Sequence, residues 1–172
     1  MVVQAEDLLF GVACVTAEKF IAAMRATGTV PECECFDTGI VRSIGLFQQV
    51  GLLTGPIHVS LVMGVASGMP CKPEWLPLIV AELPQGAHFQ TIGIGQREVW
   101  PLHRRAAELG GHLRTGIEDT FYLPDGTKTD SNGRLVEALV KVAREVGRDI
   151  ATAAQAREIV GVLPGPHGPT SP

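Results

Sequence analysis

Apolar and polar positions along the chain fall into one repeated phrase: a short apolar run, a turn, then an amphipathic stretch closed by glycine. The first full phrase starts with a strand candidate at 32–36, introduced by Pro31, and continues as a helix over 40–50, where Ile40, Ile44, Phe47 and Val50 hold helical spacing and Gly51 stops it. The second pairs a strand at 57–63 with a helix at 73–83 that has proline near its start. The third pairs 89–94 with 97–109, closed by Gly110 and Gly111. The fourth pairs a strand at 112–117 with a helix at 132–146, for which Asp130 or Ser131 offers the cap and Gly147 the end. Upstream, 7–12 reads as one further strand and 17–27 as its helix. A short helix at 153–160 precedes a Gly/Pro-rich tail, 164–172, expected to be disordered.

Strands alternating with helices of this length predict βαβ units and a parallel sheet. A complete (β/α)8 barrel takes about 250 residues, and this chain has 172. It is therefore either a small open α/β sheet or part of a barrel, and pattern alone leaves both open.

Composition narrows the function. The chain is weakly acidic, with a formal net charge of −4 and no Lys/Arg block, so nothing electrostatic recommends nucleic acid or anionic membrane as a partner. Its longest apolar runs fall short of the roughly 20 residues a membrane span needs. The first residues include Glu6 and Asp7 and lack the basic flank of a secretion signal, which predicts a cytoplasmic protein. Cys33 and Cys35 invite a zinc reading, but no second Cys or His pair completes a ligand set, and two small residues on one face of a buried strand are the better account. Gly93-Ile94-Gly95 lacks the third glycine of a dinucleotide loop. Met63-Gly64 and Gly68-Met69-Pro70 follow a strand and read as a loop at the site mouth or as turn chemistry alone, while Trp75 and Trp100 read as packing residues.

The last strand carries the charge. Period-2 alternation places His112, Arg114, Gly116 and Glu118 on one face and Leu113, Thr115 and Ile117 on the other. Buried charges need partners. In a barrel, Glu118 and Asp119 would fall at the C-terminal end of the strand, where such folds place their chemistry. A carboxylate there can ligate a metal or move a proton, and an arginine can grip a substrate carboxylate. A plain Arg114–Glu118 pair tying strand to strand is the competing account.

The run GGHLRTGIEDTFYL, followed by SNGRLVEALVKVAREVGRDIATAAQAREIVGV, resembles the C-terminal region of the β-keto acid cleavage enzymes, the family that includes 3-keto-5-aminohexanoate cleavage enzyme. The segments PECECFDTG, GLLTGPIHVSLVMGVASGMP and LPQGAHFQTIGIG fit it in order, so the resemblance covers 7–162. It implies a zinc-dependent (β/α)8 barrel and a Claisen-type exchange, in which a β-keto acid and acetyl-CoA become acetoacetate and a new acyl-CoA. Matched residue by residue, Glu118 corresponds to the carboxylate zinc ligand, Arg114 to the arginine that positions and polarises the substrate, Asp119 to the acidic residue of proton transfer and Glu34 to a pocket glutamate.

The match departs from the family where the other zinc ligands should be. Their His-x-His motif is absent, since His58, His88, His103, His112 and His167 include no pair two apart. These five read as structural or solvent-exposed. Thr115 replaces the usual Val, and Thr120 an Asn. The expectation is a domain over 1–163 that forms the C-terminal half (about strands 4–8) of a TIM barrel, with the N-terminal half absent. Such a chain would carry part of the site, bind zinc weakly and be inactive alone. Its open edges would favour a homo-oligomer or a complementing N-terminal half as partner. The alternative is a non-catalytic half-barrel assembly module or truncated gene product.

Overall fold

The computed structural model describes residues 5–162. The elements, in order, are α1 (Ala5–Thr27), β1 (Glu32–Cys35), α2 (Thr38–Gln49), β2 (His58–Met63), α3 (Leu76–Ala81), β3 (His88–Gly93), α4 (Val99–Glu108), β4 (His112–Arg114), α5 (Asn132–Glu145) and α6 (Ala153–Ile159). A single 3₁₀ turn, Pro73–Trp75, leads into α3. The strands form one sheet in the order β1-β2-β3-β4, every pair parallel. Each strand thus lies beside its predecessor, with no reversal of order. Among the described residues no helix is long and apolar enough to cross a membrane, and the tail at 164–172 lies outside them.

The four βα phrases form as expected, with two corrections. The strand expected at 7–12 is instead the first part of α1. An apolar run of that length fits either structure by periodicity, and residues 5–27 contain no proline and many good helix formers, so no break separates the run from the helix after it. The strand expected over 112–117 ends at Arg114. Beyond it the Gly116 carbonyl accepts from the amides of Asp119 and Thr120, and the Asn132 side chain takes the Ile117 N–H at 2.9 Å. Those groups are then lost to the ladder, and the chain turns.

The two faces of the sheet differ in kind. One carries Cys35, Val59, Leu61, Met63 and Phe89, packed on Val41 and Ile44 of α2, Leu76 and Ile79 of α3 and Leu102 and Ala106 of α4. Cys33 and Cys35 share this face as free thiols, and burial pushes Cys35 up to about 12, which bears out their reading as small packing residues. A second cluster joins α4 to α5 through Val99, Trp100, Leu135, Leu139 and Val142. Trp100 is buried, its Nε1 donating to the Tyr122 carbonyl at 2.9 Å, whereas Trp75 is 42% exposed and departs from the packing role expected of it. His103, on α4, is fully buried, with its Nδ1 3.3 Å from the Thr91 hydroxyl.

Capping follows residue type. The Asp37 side chain accepts from the Ile40 amide at 2.9 Å to open α2. Ser131 occupies the cap position of α5 without a side-chain capping bond. α6 opens on a complete capping box between Thr152 and Gln155. Thr152→Ala is expected to weaken α6 by about 1 kcal/mol, read as faster amide exchange over 153–159 with α5 unchanged.

Candidate functional site

The face opposite the packed core is polar along most of its length. Alternation puts Glu32 and Glu34 of β1, His58 and Ser60 of β2, His88 and Gln90 of β3, and His112 and Arg114 of β4 on this side, with the buried Val62 and Ile92 nearer the strand ends. The register aligns Glu34 with Ser60, Ser60 with Gln90 and Gln90 with His112.

These groups bond across the strands. Ser60 Oγ donates to Glu32 Oε1 at 2.5 Å, and Gln90 Nε2 donates to the same oxygen at 3.0 Å and to Ser60 Oγ at 2.8 Å. Arg114 Nη1 lies 3.5 Å from Glu34 Oε1 and 3.7 Å from Glu32 Oε1. Strands β1 and β4 are three sheet spacings apart, about 14 Å in a flat sheet. The long side chains of Arg114 and the two glutamates span that gap over the polar face.

Of the four residues expected to form the site, the structure puts Arg114 and Glu34 in an ion pair. Asp119 is buried in the turn that follows β4, and its carbonyl accepts from the Gly95 amide at 3.3 Å, joining it to the loop after β3. Burial pushes the Asp119 carboxyl up. Arg114 opposes that shift, while Glu118 and Glu34 add to it, so all three act on it electrostatically. Glu118 is exposed in the same turn. It does not continue the face of Arg114 as strand alternation predicts, because the strand has already ended. The Arg114–Glu118 strand tie is not formed either, since the ion pairs of Arg114 run to β1.

The loop from Gly64 to Met69 seals the same end of β2. Gly64 N donates to the Met69 carbonyl at 2.7 Å, and Met69 N to the Phe36 carbonyl at 2.8 Å, which lashes the ends of β1 and β2 together. At the other end of the strands, the rings of His58 and His88 stack at 5.3 Å, and those of His88 and His112 lie 5.9 Å apart. They line a cavity of about 320 Å³ closed by Ala156, Ile159 and Val160. Burial lowers His58 and His112 below the ordinary imidazole range. This histidine row is remote from Asp119, at the N-terminal strand ends.

Zinc does not fit the described residues by themselves. No three His, Cys, Asp or Glu among them are grouped to hold a metal ion, whereas catalytic zinc normally takes three protein ligands. Sequence reasoning also missed Glu32, Ser60 and Gln90. Their signal was present: each is the polar member of an alternating strand, in phase with Glu34 or the histidine of its own strand.

Residues 1–162 match the family model described as beta-keto acid cleavage enzyme. The chain is 36% identical over 143 residues to a 3-keto-5-aminohexanoate cleavage enzyme of Acetoanaerobium sticklandii, covering 83% of this chain and 52% of that protein. It is 33% identical over 147 residues to a protein of the same description from Fusobacterium nucleatum, covering 86% and 53%. It is 38% identical over 144 residues to a 3-oxoadipate:acetyl-CoA acetyltransferase of Cupriavidus necator, covering 82% and 50%. The chain thus spans about half the length of these curated relatives. With the family model covering nearly all of the chain and the relatives agreeing in kind, this protein belongs to the β-keto acid cleavage enzyme family.

Proposed function

We propose that this chain carries the substrate-gripping part of a site for acetyl-CoA-dependent cleavage of a β-keto acid. The observation that carries the reading is the guanidinium of Arg114, seated on the polar face of a parallel sheet against Glu34, with the buried Asp119 feeling its charge. Arg114 receives the carboxylate of the β-keto acid, a two-point contact that fits the planar fork of a guanidinium. Asp119 exchanges the proton at the reacting carbon, and Glu34 contacts the substrate from the facing strand. Arg114 also offsets negative charge that develops on the keto oxygen during attack.

The four strands in unreversed parallel order, with helices between them, support reading the domain over 1–163 as part of a (β/α)8 barrel, about strands 4–8. Glu118 is the one zinc ligand assigned to this chain, and further donors come from outside it. The chain alone is therefore inactive and binds zinc weakly, and a segment supplying the remaining strands, or a like chain, is its partner. Calorimetric titration is expected to show no tight stoichiometric zinc binding, and Glu118→Ala to change the titration little. Tight binding abolished by Glu118→Ala would overturn this part.

The grip is tested separately with acetoacetate as probe. Titration of the ¹⁵N-labelled chain is expected to shift the Arg114 Nε–H resonance, assigned by its loss in Arg114→Lys. Arg114→Met is expected to weaken acetoacetate binding about 10- to 100-fold, the worth of a charge-assisted bidentate contact. Unchanged binding in Arg114→Met would remove the proposed role.

A further inference from the structure

We infer that Glu32 is a positioning residue: fixed by Ser60 and Gln90, it shares Nη1 of Arg114 with Glu34 and leaves the other edge of the guanidinium for a substrate carboxylate. The inference rests on reading Arg114 as the carboxylate grip, and deepens it. Neither Arg114 nor Glu34 is anchored by a hydrogen bond among the described residues; they meet in an ion pair at 3.5 Å. Glu32 is anchored. Its Oε1 accepts from Ser60 at 2.5 Å and from Gln90 at 3.0 Å, and those two side chains are bonded to each other at 2.8 Å. Ser60 is fully buried in β2, which pairs with a strand on each side, so this triangle is tied to the interior of the sheet.

The geometry on Arg114 is one-sided. Both carboxylates make their ion-pair contact at Nη1, while Nη2 and Nε donate no hydrogen bond to protein among the described residues. Nε and Nη2 form one edge of the guanidinium fork, with two parallel N–H groups suited to a carboxylate. Two acids on a single nitrogen hold the plane without using that edge. An unanchored arginine on an open face would otherwise spread over many rotamers, and its ordering would be charged against substrate binding.

A merely structural Glu32 would serve only to accept from Ser60 and Gln90. Glu32→Gln separates the two roles, since its amide oxygen still accepts both bonds while the charge facing Arg114 is gone. The experiment measures Nε–H relaxation of Arg114 and acetoacetate affinity in the chain, in Glu32→Gln and in Gln90→Leu, which keeps the charge but loosens its anchor. In Glu32→Gln, Arg114 Nε–H is expected to fall from the ordered range to an order parameter below about 0.6, and acetoacetate to bind about three- to fivefold more weakly, the worth of a partly exposed pair. Gln90→Leu should move both readouts the same way by less. Equal Arg114 order in Glu32→Gln and the parent chain overturns the inference. Should Glu32→Gln fail to fold, Gln90→Leu alone decides, with unchanged Arg114 order as the overturning result. A parent chain that ignores acetoacetate, while Glu32→Gln still frees Arg114, upholds the positioning contact and defeats the β-keto acid reading.

Discussion

Gly64→Ala is expected to destabilise the chain by about 4 kcal/mol, the sum of a strained backbone and a forced contact. Gly64 has φ +101°, a region L side chains rarely adopt, and a Cβ there would run into the carbonyl of Ile94. Neither side can give way freely. Gly64 N is bonded to the Met69 carbonyl at 2.7 Å, and Ile94 N to the Met63 carbonyl at 2.8 Å, so the two backbones are locked where they touch. A movement that relieves the overlap breaks the lashing of the strand ends where Asp119 is held by Gly95. Against a typical domain stability of about 5–15 kcal/mol, the loss would be severe. Urea unfolding measures it, as a lower midpoint at unchanged slope. A change under about 1 kcal/mol would show that this close approach is not a real constraint.

Acidification is expected to remove about 3 kcal/mol through His103. Burial alone pushes its pKa down to about 4, from an ordinary value of 6.5, and the ring is fully enclosed beneath β3. The folded chain therefore keeps His103 neutral in a range where the unfolded chain binds a proton. Stability is complete above about pH 6.5, falls as the pH drops towards 4, and loses nothing further to this group below that. Holding one proton off the folded chain costs roughly 1.4 kcal/mol for each pH unit of that window, which accounts for the stated amount. Carboxylates contribute their own acid dependence, so the check is a comparison. His103→Phe should unfold with a flatter profile between pH 6.5 and 4, and identical slopes in the two proteins would refute the assignment.

Much of the fold was legible because the information is local. The alternation of Val59, Leu61 and Met63 against His58 and Ser60 states which face packs, whatever lies across from it. The glycines at 110 and 147 mark helix ends, and both adopt positive φ there. Where local signals compete, reading fails. Apart from Asp7, residues 7–12 are apolar without a clear period, and the absence of a breaker after them decided for helix. The end of β4 was illegible for another reason: Asn132, 15 residues downstream of Ile117, takes that residue's N–H, and no periodicity inside 112–117 encodes that.

The site divides along the same line. Arg114, Glu118, Asp119 and Glu34 were singled out as candidates through the wording of the motif and the resemblance it carries, and Glu32, Ser60 and Gln90 were passed over as ordinary strand residues. A polar residue on an alternating strand acquires meaning from what stands opposite, and the partners of Glu32 lie 28 and 58 residues away.

By itself, the sequence determined the parallel βα order, the apolar face, the family and the motif residues, since each depends on residue types at short spacing. Tertiary structure alone decided that Arg114 pairs with β1 rather than with Glu118, and that a network across β1, β2 and β3 holds Glu32 beside it. Those outcomes depend on which strands lie side by side and on where a strand stops pairing, and both are set by contacts between segments distant along the chain.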